Sequence, residues 1–293
     1  MKIRVPATSA NLGPGFDALG LAIALYNEVV IKKSTFHSVS IKGEGSNRSN
    51  LKKNNLFVSI FNDIYKELTG EKNTFRFEFN NNIPFSRGLG SSSAVIISAI
   101  ASAYEMADIV SSKQNVLDRA LVYESHPDNI APAVYGGFVS SVVEENKVYA
   151  IKKELPSSLK VVMTIPDRAM STSHSRTKLP KNFSIKNTVF NLAHASFLSS
   201  AFFSENWDML QIASKDMMHE KIRISAMPEL ECVRKTALEN GALMSTLSGS
   251  GSSFFTLCYN KDASKIKEAL KKNFGRFRIE VFNLDNNGYT IDK

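Results

Sequence analysis

The sequence predicts an α+β protein of two domains, and three observations carry that expectation. Strand-type apolar runs and helical patterns are mixed along the chain without a regular βαβ repeat. At 293 residues the chain is long for one average domain. A Pro/Ser break at Leu155-Pro-Ser-Ser158 separates two stretches that each carry their own strands and helices. The expected domains are residues 1–156 and 157–293.

In chain order, alternation and β-branched content predict strands over 20–33, 36–42 and 75–80. Between them Leu56, Ile60, Ile64 and Leu68 recur at helical spacing, so residues 55–68 read as a helix. Residues 94–107 are apolar and small almost all round, the pattern of a buried helix opening on a glycine-serine turn. A helix over about 113–124 leads into His126-Pro-Asp-Asn129. Residues 136–144 and 147–153 pattern as a hairpin turning at Glu145-Asn146. The second half starts with a strand over 160–165. Helices follow near 187–203, 206–218 and 228–240, then strands near 242–247 and 253–259, a basic helix and a final strand near 277–283. Ile266, Ala269, Leu270 and Phe274 give the basic helix one apolar stripe, so its charges form a solvated face.

Composition narrows the function classes. The chain is 43% apolar and 22% charged, ordinary for a globular protein. Pro and Gly interrupt MKIRVPATSANLGPGFD before a signal-peptide apolar region could develop. No run approaches the ~18 apolar residues of a spanning helix. Cys232 and Cys258 stand apart from any CxxC or Cys/His cluster, which argues against a zinc site or a disulfide framework. A cytoplasmic protein with no membrane partner is expected. Lys+Arg 36 against Asp+Glu 28 leaves a formal charge of +8, which raises the question of an acidic partner. The lysine pairs at 32–33, 52–53, 152–153 and 271–272 are scattered rather than gathered with aromatics on one face, and this speaks against nucleic acid.

The most informative stretch is Pro84-Phe85-Ser86-Arg87-Gly88-Leu89-Gly90-Ser91-Ser92-Ser93-Ala94. Two glycines one residue apart let the backbone turn tightly and approach a ligand. Three hydroxyls then open a helix, where free N–H groups and the dipole favour a phosphate. The stretch matches neither G-x-x-x-x-G-K-[ST] nor G-x-G-x-x-G, so a Walker-type or dinucleotide site is not implied. Alone, it could equally be a turn whose serines cap a helix. Two other stretches accompany it. Pro6-Ala-Thr-Ser-Ala-Asn11-Leu-Gly-Pro-Gly15-Phe-Asp17 places an amide and a carboxylate in a Gly/Pro-rich loop, and Thr246-Leu-Ser248-Gly249-Ser250-Gly251-Ser252 is a second hydroxyl-rich turn.

Together these stretches resemble the signature motifs of the GHMP small-molecule kinases, in order from residue 6 to about 259. Within that family the PATSANLGPGFD segment and His126-Pro-Asp-Asn129-Ile-Ala-Pro132 resemble the branch that acts on homoserine. The resemblance implies an ATP-binding N-terminal domain of the ribosomal protein S5 domain 2 type, a ferredoxin-like C-terminal domain, ATP as phosphoryl donor and Mg2+ as cofactor. It implies that residues 84–94 wrap the ATP phosphates, that Ser91 and Glu124 meet Mg2+ with Glu105 as the alternative acid, and that Asn55 meets the adenine.

L-Homoserine is a zwitterion with a terminal hydroxyl. Its site needs a planar cation for the carboxylate, an acid for the ammonium and polar groups that align the hydroxyl. The resemblance assigns Arg176 and Arg223 to the carboxylate, with Thr172 and Gly249 close by. It assigns Asp17, His126 and Asn129 to the ammonium, and Asn11 and Asp128, the expected catalytic pair, to the hydroxyl. Residues 172–176 offer no aspartate base paired with a lysine, so direct attack on the γ-phosphate without a strong base is expected. Arg176, Arg223 and Arg87 would supply the cations of the cleft.

Plainer roles stay open residue by residue. A loop arginine can be a solvated charge, Asn11 or Asn129 can cap a turn, His126 can pack beside its proline, and His219 reads as structural. A mevalonate- or sugar-type kinase of the same family and a basic RNA-binding protein are the other readings. A homodimer is left open.

Overall fold

The computed structural model describes residues 1–170 and 172–293, with the backbone alone for 172–174. The first sheet contains β1 (Lys2–Ala10), β2 (Leu19–Lys33), β3 (Ser38–Gly43), β4 (Phe75–Asn81), the hairpin β5 (Phe138–Glu144) and β6 (Lys147–Lys153), and β11 (Thr290–Asp292). Its order is β11-β1-β2-β4-β3, with β5 pairing β2 and β6 pairing β5. The long strand β2 makes this branching possible, since Leu19–Leu21 pair with β5 while Asn27–Lys33 pair with β4. The second sheet runs β10 (Arg278–Phe282), β7 (Leu159–Ile165), β9 (Phe254–Tyr259), β8 (Met244–Leu247), antiparallel throughout. In the order of its own strands this is 4-1-3-2, the ferredoxin-like arrangement.

The helices of the first half are α1 (Ser49–Lys53), α2 (Leu56–Thr69), α3 (Ser91–Met106), α4 (Lys113–Ala120) and α5 (Pro127–Tyr135). The Asn55 side chain caps α2 by accepting from the Val58 amide, and left-handed Gly70 ends it. Its buried face, Phe57, Phe61 and Tyr65, meets Phe75 and Phe77 of β4 edge to face at 5.0–5.7 Å. In the second half come α6 (Thr172–Thr177), α7 (Ile185–Phe203), α8 (Leu210–Ala213), α9 (Glu220–Ile224), α10 (Glu229–Glu239) and α11 (Asn260–Asn273). α10 and α11 bury Leu230, Val233, Ile266 and Leu270 in a separate core with Val162 and Phe254. α7 instead joins the first core, where Phe202 stacks on Phe138 at 4.1 Å.

Five expectations are corrected. Residues 6–10, read as loop, continue strand β1; Pro6 is tolerated because the pairing shifts register between Pro6 and Ala7. The buried helix starts at Ser91 rather than Ala94, because Gly90 at φ 66° takes the N-cap position and the serines form the first turn. Residues 127–135, read as loop, form α5: Pro127 sits at the first helical position, where its missing N–H costs nothing. Pro132 lies inside the helix. It removes the bond to the Asp128 carbonyl, against which Gly20 of β2 packs so closely that a Cβ there would lie 1.9 Å from that oxygen. The helix expected over 206–218 is broken into a 3-10 turn (Trp207–Met209) and α8, since the Asp216 carboxylate takes the amides of Met218, His219 and Glu220 to start α9. Residues 121–124, expected to end a helix, leave it: 121–123 form a turn after α4.

Candidate active site

One cleft between the two sheets' loops is lined by Asn11, Asp17, Pro84, Ser86–Ser93, Glu124, His126, Asp128, Asn129, Arg176, Arg223, Gly249 and Ser250. Most residues singled out in the sequence therefore meet in one place. At its floor the chain turns through Gly88 and Gly90 into α3. Both are left-handed, at φ 72° and 66°. A Cβ at Gly88 would lie 2.0 Å from the Ser248 carbonyl oxygen, and one at Gly90 would lie 1.9 Å from Thr8 Oγ1. The first intrahelical bond is Ala94 N–H to the Gly90 carbonyl at 2.9 Å, so the amides of Ser91, Ser92 and Ser93 precede it and are available to an anion.

Arg87 lines the cleft, but its guanidinium is committed to the carbonyls of Phe85, Pro166 and Asp167. It ties the glycine-serine loop to the end of β7. Met170 N–H to the Ser86 carbonyl at 2.8 Å and Ser253 N–H to the Arg87 carbonyl at 3.1 Å add two more stitches. The expectation that Arg87 supplies a ligand cation gives way to this brace.

At the other end Arg176 and Arg223 lie 5.0 and 5.2 Å from the Phe16 ring centroid. Arg176 pairs with Asp17 at 2.6 Å. Arg223 is almost fully buried in α9, and burial together with the Arg176 charge lowers its pKa to about 10, still cationic at neutral pH. Its Nη1 donates to the Gly249 carbonyl and to His219 Nδ1, both at 3.1 Å. Its buried Nε has no hydrogen-bond partner among the described residues. A guanidinium held by one nitrogen with Nε free is prepared for a planar anion. Asn11, left-handed at φ 68°, donates from Nδ2 to the Gly249 carbonyl at 3.1 Å and accepts from the Asp17 amide at 3.1 Å.

The acidic side of the cleft is built by the start of α5. His126 lies 3.5 Å from both Glu124 Oε1 and Asp17 Oδ2. The hydrogen bond to Glu124 raises its pKa against the opposing effect of burial. Asp128 is buried, and burial with the nearby Asp17 charge pushes it up to about 7. Asn129 accepts from Thr8 Oγ1 at 2.8 Å and donates to Asp128 Oδ1 at 3.4 Å.

Four sequence-predicted residues stand elsewhere. Asn55 and Phe85 line a neighbouring apolar cavity with Ile41, Leu51, Phe79 and Val95, which adjoins the cleft through Ser86, Ser91 and Ser92. Ala94 has no exposed surface and packs in the core, because it faces inward on the first turn of α3. The Thr172 side chain lies outside the described residues. Glu105 pairs with Lys293, and at ~1.5 Å per residue it is about 21 Å along α3 from Ser91, too far to share an ion with it. Sequence reasoning missed Arg48, whose guanidinium lies 5.8 Å from the Phe85 ring on that cavity; a lone arginine in a polar loop carries no pattern that would reveal it.

No group of three or more His, Cys, Asp and Glu among the described residues could hold a metal by itself. The pair Ser91 and Glu124 offers one hydroxyl and one carboxylate on the same cleft, and Ser91 Oγ makes no hydrogen bond among the described residues. Two hard oxygens beside a phosphate site suit Mg2+, which takes phosphate oxygens and waters for the rest of its shell. No helix among the described residues is long and apolar enough to cross a membrane.

Comparison with known proteins gives matches along the whole chain. The GHMP kinases N terminal domain family matches residues 55–137, and the GHMP kinases C terminal family matches residues 198–276. A protein of Campylobacter concisus named homoserine kinase is 60% identical over 291 residues, 99% of each chain. One of Nitratiruptor of the same name is 57% identical over all of both chains. Among solved structures, a homoserine kinase from Cytophaga hutchinsonii superposes with a TM-score of 0.88 at 27% identity, covering 100% of this chain and 97% of that one. A mevalonate kinase from L. major gives 0.74 at 14% identity over 98% and 96% of the two chains, a likeness of fold alone.

Proposed function

The chain belongs to the GHMP kinase family, among its homoserine kinases, and on that footing we propose that it transfers the γ-phosphoryl group of ATP to the hydroxyl of L-homoserine. The product, O-phospho-L-homoserine, serves threonine biosynthesis. One observation carries the substrate reading: two arginines on the Phe16 ring and the carboxylate of Asp17 share a cleft with the amides that open α3. A zwitterion and a polyphosphate are thus recognised side by side.

In this reading residues 84–93 receive the phosphates and the cavity of Asn55, Phe85 and Leu51 receives the adenine, its apolar walls suited to a flat ring. Arg223, through its free Nε edge, and Arg176 take the substrate carboxylate; Thr172 stays in this part of the proposal, and Gly249 supplies the carbonyl that holds Asn11 and Arg223. Asp17, His126 and Asn129 surround the ammonium. Asn11 and Asp128 align the hydroxyl for attack. Ser91 and Glu124 hold Mg2+, which when bound neutralises charge on the phosphates. The domains are drawn at 1–156 and 157–293, with β11 returning to the first sheet. A cytoplasmic location completes the reading; a homodimer stays open, and sedimentation equilibrium decides it.

The decisive assay measures ADP release with L-homoserine, mevalonate and galactose under MgATP. Turnover with L-homoserine alone is expected. Turnover with mevalonate or galactose and none with L-homoserine would refute the proposal.

Asp128 gives a second test. Phosphoryl transfer through a loose transition state needs alignment more than proton removal, so Asp128→Asn is expected to lower kcat by no more than about tenfold. A general base would be worth about 10²–10⁴-fold. A loss above 10²-fold, together with disappearance of a pH limb near 7, would make Asp128 a base. Stability supplies an independent readout. Because its folded pKa lies above the unfolded one, Asp128 lowers stability as pH rises from about 4 to 7. Asp128→Asn should therefore be more stable than the parent at pH 7, by at least about 1 kcal/mol, with the gap narrower at pH 5 and closing toward pH 4. Thermal melts at the two pH values measure it.

A further inference from the structure

We propose that His219 is a positioning residue for substrate recognition, fixing which edge of the Arg223 guanidinium faces the cleft. The proposal rests on the reading of that cleft as a homoserine site.

The hydrogen bonds leave His219 one arrangement. The Gly13 carbonyl can only accept, so Nε2, at 2.8 Å from it, carries the proton. Arg223 Nη1 can only donate, so Nδ1, at 3.1 Å, offers its lone pair. The ring is therefore a neutral imidazole of one tautomer. Burial drives its pKa down to about 4, which keeps it neutral at working pH. A second bond, from Nη1 to the Gly249 carbonyl, completes the grip. With Nη1 taken on two sides, Nε is the guanidinium nitrogen that no described residue meets, and it is the one the proposal gives to a carboxylate.

His219 is itself held from behind. Its amide donates to Asp216 Oδ2 at 2.8 Å, and Asn191 donates to Asp216 Oδ1 at 2.9 Å. Its ring lies 5.1 Å from Phe16, the same ring over which both arginines sit. Helix α9 is further pinned where Glu220 accepts from the Leu247 amide at 2.6 Å. The imidazole thus joins the loop after β1, α9 and the turn after β8 at the point where a carboxylate would arrive.

The test compares two ligands. L-Homoserine and 3-aminopropan-1-ol share the ammonium and the hydroxyl, but the second lacks the carboxylate. Binding of each is measured by calorimetry in the presence of Mg2+ and a non-hydrolysable ATP analogue, for the parent and for His219→Phe, which retains an aromatic ring against Phe16. The expected result is a loss of tenfold or more in affinity for L-homoserine, with 3-aminopropan-1-ol and the ATP analogue changed less than twofold. Equal weakening of both ligands, or an unchanged preference, would overturn the proposal. If His219→Phe does not fold, His219→Gln carries the same comparison at about threefold, its amide meeting the two partners less well, and an unchanged preference there overturns it too. A parent enzyme that does not prefer L-homoserine would instead sink the substrate reading, a distinguishable outcome.

Discussion

Replacing Arg223 with alanine should lower kcat/KM for L-homoserine by roughly 10²–10³-fold, mostly through KM, while KM for ATP stays within about twofold. The magnitude follows from truncating one partner of a buried, hydrogen-bonded charge pair, which costs about 2–5 kcal/mol. Arg223 is buried, and its Nε has no partner among the described residues. Arg223→Lys should recover little. An ammonium is a point charge and cannot reach both the Gly249 carbonyl and His219 while presenting a two-nitrogen edge. Steady-state kinetics on both variants decide the matter, and a loss below threefold for Arg223→Ala would remove the residue from the carboxylate site.

Glu124→Gln should have an effect of similar size by another route. Its carboxylate lines the cleft with Ser91, so its loss should cut kcat/KM by about 10²-fold and raise the Mg2+ concentration for half-maximal rate. Ser91→Ala should move the Mg2+ requirement in the same direction. Glu124→Gln also takes away the charged acceptor whose hydrogen bond raises the His126 pKa, so NMR titration of His126 should show it falling. An unchanged Mg2+ requirement in Glu124→Gln would send the metal to another acid.

Much of this site was legible because its parts carry local chemistry. The glycine-serine loop declares itself through Gly88 and Gly90, whose left-handed backbone leaves no room for a Cβ. Asn11, Asp17, His126, Arg176 and Arg223 could be placed because each stands in a recognisable stretch. What stayed hidden depends on contacts distant in sequence. The two prolines of residues 127–135 obscured α5, although one suits a helix start and the other is accommodated by Gly20. The commitment of Arg87 to carbonyls about eighty residues away has no local signature. The bridging role of His219 likewise needs Gly13 on one side and Arg223 on the other. Helical periodicity failed over 206–218 because one buried carboxylate, Asp216, drew three amides into a new start.

The pairing of β11 with β1 carries a consequence for how the chain is made. Lys2 meets Asp292 across that ladder, so the outer edge of the first sheet stays open through most of synthesis. During that interval β1 presents unpaired backbone groups, the kind of edge that recruits strands from other chains. Closing it requires the most non-local pairing in the protein, a late and slow event by the logic of loop closure. A ribosome-bound or recombinant fragment ending near residue 156 would therefore keep that edge open even with its helices formed.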